Sequence, residues 1–302
     1  MTKRADGNRV MTRNIGTNIT LDKIITTVGE LPTSPAVVSA IIGLTSNLDS
    51  KIIDISRVLK SDQSLTARVL RLSNSSFYGR SSKVKTLEEA ILLLGFSAVC
   101  SMVVATLTHS MYRDEEKDSP EMKLWRHSLS TAIAARQIAR HIKYPEIEEI
   151  FVAALLHDIG KLVLLQKLPE RYLEIINEVE KNASSFTDSE LQAFGFDHCD
   201  VASLLLNKWL FPASLTDAIS RHHQLPAITE DRPVNMTDII DLANHMAKRL
   251  GVGFQDHRTE DPSELQSARV MSLDKETLED IHQEIHEFFQ VEVGIIEETK
   301  TQ

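Results

Sequence analysis

The sequence predicts an all-α protein. Apolar residues recur at a 3.6-residue period through long stretches, while the period-2 alternation of half-buried strands is hard to find. Aromatic residues make up only 5% of the chain and Gly and Pro are sparse, so Leu, Ile, Val and Ala fill the core.

Residues 1–18 are polar and unpatterned and read as a tail. A short helix is predicted over 21–28. In Leu31-Pro32-Thr33-Ser34-Pro35, Ser34 serves as N-cap and Pro35 takes the first helical position. Val37, Val38, Ile41, Ile42 and Leu44 then form one apolar face. A further helix is predicted over about 52–60, and Ser61 or Asp62 caps the next, with Leu65, Val69, Leu70 and Leu72 inward. That helix stops in the turn-forming cluster 73–79, followed by a polar loop to Lys85. Thr86-Leu87-Glu88-Glu89 reads as a capping box, and the helix it opens breaks at Gly95 and resumes from Phe96 to about Met111. Residues 113–120, charged and ending in Pro, mark the clearest boundary.

Beyond the boundary, helices are predicted over about 124–142, 146–158, 169–180, 198–210, 213–223, 234–250 and 274–289. Thr187-Asp188-Ser189-Glu190 reads as a second capping box. The expected organisation is a tail (1–18), an N-terminal helical subdomain (19–113), a second helical subdomain (114–255), and a C-terminal helix with its tail (256–302).

A chain of 302 residues is long enough to bury a substantial core. A net charge of −10 argues against a nucleic-acid surface built on bulk charge, so nucleic acid is not an expected partner. Two cysteines, Cys100 and Cys199, make no disulfide framework and suit a reducing compartment. Lys3, Arg4, Arg9 and Arg13 are not followed by an apolar stretch, and the apolar run 98–107 is too short to span a bilayer. The expectation is a cytoplasmic protein with no membrane partner.

The most informative stretch is 153–162, Ala-Ala-Leu-Leu-His-Asp-Ile-Gly-Lys-Leu. An apolar helical run ends in His157 and Asp158, and Gly160 is expected to close that helix. A helix C-terminus carries partial negative charge and favours a cation. Neutral imidazole and carboxylate together suit Fe, Mn or Zn. Neighbouring residues on a helix lie roughly 100° apart, so both can reach one ion in an interhelical cleft. Four predicted helices place histidine at or near an end: His127, His157 beside Asp158, His198, and His222 with His223. They converge on one site if the helices form a bundle. Plain readings stand beside this one. His127 suits a hydrogen-bonded core position, His198 a helix cap, and His222-His223 a solvated helix end. Spacing alone does not choose between them.

Several long motifs resemble one family closely. Leu31-Pro32-Thr33-Ser34-Pro35, the run 61–75 (Ser-Asp-Gln-Ser-Leu-Thr-Ala-Arg-Val-Leu-Arg-Leu-Ser-Asn-Ser) and the run 87–95 (Leu-Glu-Glu-Ala-Ile-Leu-Leu-Leu-Gly) are similar to the HDOD family, the HD-related output domain of bacterial signalling proteins. The resemblance continues through His127-Ser128, His157-Asp158-Ile159-Gly160-Lys161 and Gly195-Phe196-Asp197-His198 to Leu242-Ala243-Asn244-His245, spanning roughly residues 20–255. It implies an N-terminal helical bundle packed on an HD-domain-like helical bundle, the latter being the second subdomain. It also implies a metal set: His127 as the first histidine, His157 and Asp158 as the signature pair, and His198, His222 and His223 as the further histidines of two-metal relatives. Asn244 takes the last ligand position, where the family's hydrolases carry aspartate, with Asp241 a turn earlier. Lys123 stands where some two-metal relatives carry glutamate. Catalytic roles implied for this chain are Asp158 as bridging carboxylate and Lys161 as the lysine approaching a substrate phosphate. A bridging water is the implied nucleophile. Gln224-Leu225-Pro226 replaces Gly-Tyr-Pro after the paired histidines, so cyclic-di-GMP hydrolysis of that kind is not expected.

The resulting expectation is a signal-transduction module holding one or two divalent ions (Fe, Mn, Zn or Mg) with little or no hydrolysis. No receiver, kinase or DNA-binding segment is read in the sequence, so signalling proteins are the expected partners. The alternative is a metal-dependent phosphohydrolase acting on a nucleotide or phosphodiester. In either case the expected small ligand is a nucleotide or phosphate. His109, His141, His257, His282 and His286 show no ligand pattern, and Cys100 reads as core.

Overall fold

The computed structural model describes residues 84–112, 118–182, 184–229, 232–254 and 261–297, with residues 20–21, 23–24, 69–71 and 73–74 besides. Most of the helix predicted over 21–28, the helix predicted from Pro35 to Leu44, that over 52–60 and most of the next lie outside the described residues. Among the described residues the structure is all-α, with no strand. Among the described residues, two helices with complete bounds lie before the boundary, α1 (Leu87–Leu94) and α2 (Phe96–Met111). Ten follow: α3 (Pro120–His141), α4 (Ile147–Leu156), α5 (Ile159–Lys167), α6 (Pro169–Asn182), α7 (Phe186–Phe194), α8 (His198–Lys208), α9 (Ala213–Ser220), α10 (Met236–Arg249), α11 (Gln266–Val270) and α12 (Lys275–Glu297).

Local chemistry explains the boundaries. Thr86 Oγ1 accepts from the Glu89 amide at 3.1 Å, while Glu89 accepts from the Lys85 amide at 2.6 Å, which starts α1. Gly95 at φ +90° lets the chain turn from α1 into α2. Asn74 clamps that region from before α1, its amide donating to Val84 O at 2.8 Å and its carbonyl accepting from Val84 N at 2.7 Å. Its described role is therefore structural. Ser119 caps α3 one turn earlier than the periodicity alone predicts, with Pro120 in the first helical turn. α12 runs two turns past Phe289, because Glu292 and Ile296 continue its buried face.

Three expectations need correction. Gly160 does not close a helix: α4 ends at Leu156, and Gly160 is the second residue of α5. Thr187 opens no capping box, since Ser185 caps α7 and Glu190 is turned into the core. α9 ends at Ser220, which leaves His222 and His223 in a turn rather than on a helix.

α3 is the central element and packs against α4, α10 and α12. Ala132, Ala134, Ala135 and Ala139 let its neighbours approach closely, while Trp125, Leu129, Ile133 and Ile138 fill the space between them. α8 lies against α5 and α9. Among the described residues no single helix is long and apolar enough to cross a membrane.

Candidate metal centre

The site forms where α4 breaks into α5. His157 follows the last residue of α4, and Asp158 precedes the first residue of α5. Asp158 therefore sits at the positive end of α5, which stabilises its negative charge, rather than only at the end of α4. A Cβ on Gly160 would fall 2.0 Å from the carbonyl oxygen of His198. Only glycine permits that approach, and it brings the start of α8 onto the start of α5.

Asp158 is the hub. Its Oδ2 lies 3.3 Å from His157 Nε2 and 3.7 Å from His127 Nε2, and it accepts from Lys161 Nζ at 2.8 Å. Its Oδ1 lies 3.4 Å from His198 Nε2 and 3.8 Å from His222 Nε2. His223 joins through its Nε2, 3.1 Å from His198 Nε2. The structure thus brings together His127, His157, Asp158, Lys161, His198, His222 and His223. All but His223 are buried, and His223 forms the exposed edge.

Backbone carbonyls select the tautomers. Ala154 O lies 2.7 Å from His157 Nδ1, and Ile219 O lies 2.8 Å from His222 Nδ1. A carbonyl only accepts, so both Nδ1 atoms carry the proton and both Nε2 lone pairs face Asp158. Those two Nε2 atoms and Asp158 Oδ1 are buried without a hydrogen-bond partner. Three converging orphaned acceptors are costly unless something cationic satisfies them. This donor set, neutral imidazoles around one carboxylate, fits a divalent transition metal.

The electrostatics agree. Burial pushes His127 down to about 3, with Asp158 only partly opposing it. Burial likewise holds His222 well below the ordinary imidazole range. Burial alone would raise Asp158, but the neighbouring imidazoles, His157 foremost, and the Lys161 ammonium outweigh it and keep the carboxyl well below its usual value.

Sequence reasoning missed Glu190. Its Oε2 accepts from both the backbone N–H and the Nδ1 of His198, at 2.8 and 2.6 Å, and its Oε1 accepts from Tyr172 OH at 2.6 Å. A carboxylate behind a histidine fixes ring and tautomer, as is usual behind metal ligands. Burial would push His198 down, but Glu190 and Cys199 together raise it well above the ordinary value. The signal was present in sequence as an acidic residue on an otherwise mixed helix, eight positions before a histidine, and nothing local singled it out.

Asn244 is buried in α10 with its Oδ1 unpartnered. Asp241 accepts from Ser267 at 2.7 Å and lies 3.8 Å from His245. Lys123 lies over the Phe254 ring, 5.4 Å from its centroid, and Lys161 lies over Phe186 at 4.4 Å. His109 packs edge-on against Trp125. Gly253, at φ +87°, packs against His127, where a Cβ would fall 2.7 Å from the histidine Cβ.

The family model of the HDOD domain matches residues 31–225. An HDOD domain protein of unknown function from Geobacter sulfurreducens superposes with a TM-score of 0.77 at 24% identity, covering 93% of this chain and 97% of its own. A Shewanella amazonensis protein described provisionally as a phosphohydrolase gives 0.69 at 22% identity, with 92% and 97% covered. A Marinobacter aquaeolei protein described provisionally as a signal transduction protein gives 0.70 at 22% identity, with 95% and 62% covered. An uncharacterized protein of Treponema pallidum is 22% identical over 235 residues, or 76% of this chain. The chain spans 45% of that relative's length. Identities this low establish the shared fold.

Proposed function

The chain belongs to the HDOD family, and from that premise we propose that it is a signal-transduction module with a retained HD-type metal site and little or no hydrolysis. The observation carrying this reading is the convergence of the orphaned His157 Nε2, His222 Nε2 and Asp158 Oδ1. His127, His157 and Asp158 would hold one divalent ion, and His198, His222 and His223 would border a second position. A divalent ion there supplies Lewis acidity and an anchor for phosphate oxygens. The chain's own groups do the rest. Glu190 orients His198, the Ala154 and Ile219 carbonyls present lone pairs inward, and Lys161 holds a positive charge against Asp158.

Two features argue against efficient turnover. Asn244 offers a neutral amide where a ligand carboxylate is expected, which weakens the hold on one ion. Every ligand except His223 is buried, which limits the access of a phosphodiester to the ions. The hydrolase reading draws support from Lys161, which stands beside Asp158 and could pair with a phosphate instead.

The test is metal analysis of the purified chain, followed by assay against a panel of nucleotides and cyclic dinucleotides, with His157→Ala and Asp158→Ala as controls. The proposal expects bound metal and no turnover that depends on these residues. Turnover abolished by both substitutions would favour the hydrolase. Absence of metal would overturn both readings.

A further inference from the structure

The second metal position contains a donor that the histidine pattern does not include. Cys199 is buried in the first turn of α8, directly after His198. Its Sγ lies 3.6 Å from His222 Nδ1. One donor atom each from His198, Cys199, His222 and His223 lies within 4.8 Å of every other in the group. Three of the four residues are buried. Asp197 and Asp200 cap α8 reciprocally, which fixes the backbone that carries both His198 and Cys199.

We propose that Cys199 is a thiolate ligand, so that the second position is a sulfur-containing His3Cys site selective for zinc-like ions. This rests on the metal-binding reading above and deepens it. Cys/His donor sets favour zinc and other soft or borderline ions, whereas Mg and Ca prefer oxygen. The first position, built from His127, His157 and Asp158, is a nitrogen and oxygen set of different character, and Asp158 forms the wall between the two. Four protein donors close a tetrahedral shell, as in structural zinc sites, whereas catalytic sites leave a position to water. The thiolate thus occupies the place a hydrolase keeps open. Cys100, the other cysteine, lies in α2 with its thiol pushed up to about 12 by burial and by Glu148, and takes no part.

The experiment strips the full-length chain with chelator and reloads it with cobalt(II), which reports sulfur through a near-ultraviolet thiolate-to-cobalt charge-transfer band. The wild-type chain is expected to show the band, zinc to abolish it by displacement, and Cys199→Ser to lose it while keeping visible bands from nitrogen and oxygen ligands. Zinc retention in Cys199→Ser is expected to fall at least ~10-fold. Cobalt bound with visible bands but no charge transfer, or a band that survives in Cys199→Ser, overturns the sulfur assignment and leaves the metal-binding reading standing. No cobalt uptake overturns both. Should Cys199→Ser fail to fold, Cys100→Ser decides: a retained band assigns the sulfur to Cys199, and a lost band refutes the assignment.

Discussion

Glu190 shows how one residue can govern a site it never enters. It is buried, carries no contact to Asp158, and accepts three hydrogen bonds, two from His198 and one from Tyr172. Glu190→Gln keeps the shape but removes the charge that holds His198 in position. The expected result is metal affinity weakened 10–100-fold with helical content unchanged, read by competition with a chromophoric chelator. An unaltered affinity would show that His198 needs no such support. Asp158 makes the complementary case, because its two oxygens serve different partners, His127, His157 and Lys161 on one side and His198 and His222 on the other. The sequence made these ligands visible as residue types, and their family spacing grouped them. Glu190 stayed hidden because the hydrogen bond that matters spans a turn between two helices, and no local pattern reports it.

At the scale of elements, the contact between α5 and α8 is set by one missing methyl group. Gly160→Ala places a Cβ 2.0 Å from a backbone oxygen, which no rotamer change relieves. The two helices must separate, at a cost at or above the roughly 1–3 kcal/mol usual for overpacking. Thermal unfolding of Gly160→Ala checks this, and a melting temperature equal to wild type would refute it. Read from sequence, the same glycine looked like a helix stop. Position in a motif and position in a packing interface are different properties, and only the partner backbone reveals the second. The cap at Thr86 was easier to read, because the bond it makes with Glu89 lies within three residues.

The contact of α3, α4 and α12 carries a pH dependence. Arg136 lies over the Phe151 ring, bonds Glu148 at 2.8 Å and faces Glu292 at 3.8 Å. Burial pushes Glu292 up to about 7, with Arg136 opposing and Glu148 reinforcing. A carboxyl raised in the folded state binds its proton more tightly there than when unfolded. Its contribution to stability is present below the unfolded value of about 4.5 and is lost as pH rises toward 7, by an amount on the order of 3 kcal/mol. Glu292→Gln removes that loss. Its melting temperature relative to wild type should therefore be higher at pH 8 than at pH 5, and an equal difference at both would contradict the buried-acid account.

Over the whole molecule, the apolar periodicity that predicted an all-α chain also predicted most helices of the second half, because amphipathic faces are a property of the sequence itself. Which helix ends meet is a property of the packing, and it brings residues 127, 198 and 222 to one carboxylate. Ligand binding at such a convergence stabilises the folded state by mass action. An ion at 100 times its dissociation constant adds about 2.7 kcal/mol, which corresponds to about 4 °C for a chain of this size. Calorimetry with and without chelator should show that shift in wild type and not in Asp158→Asn.

The most direct measurement is the metal content of the full chain after loading with zinc or manganese and removal of free ion, beside Asp158→Asn treated identically. The account predicts at least one ion retained per wild-type chain and at least a ~10-fold loss in Asp158→Asn, with the helical circular dichroism of both unchanged. Wild-type chain that retains no ion, or Asp158→Asn that retains as much as wild type, would contradict it.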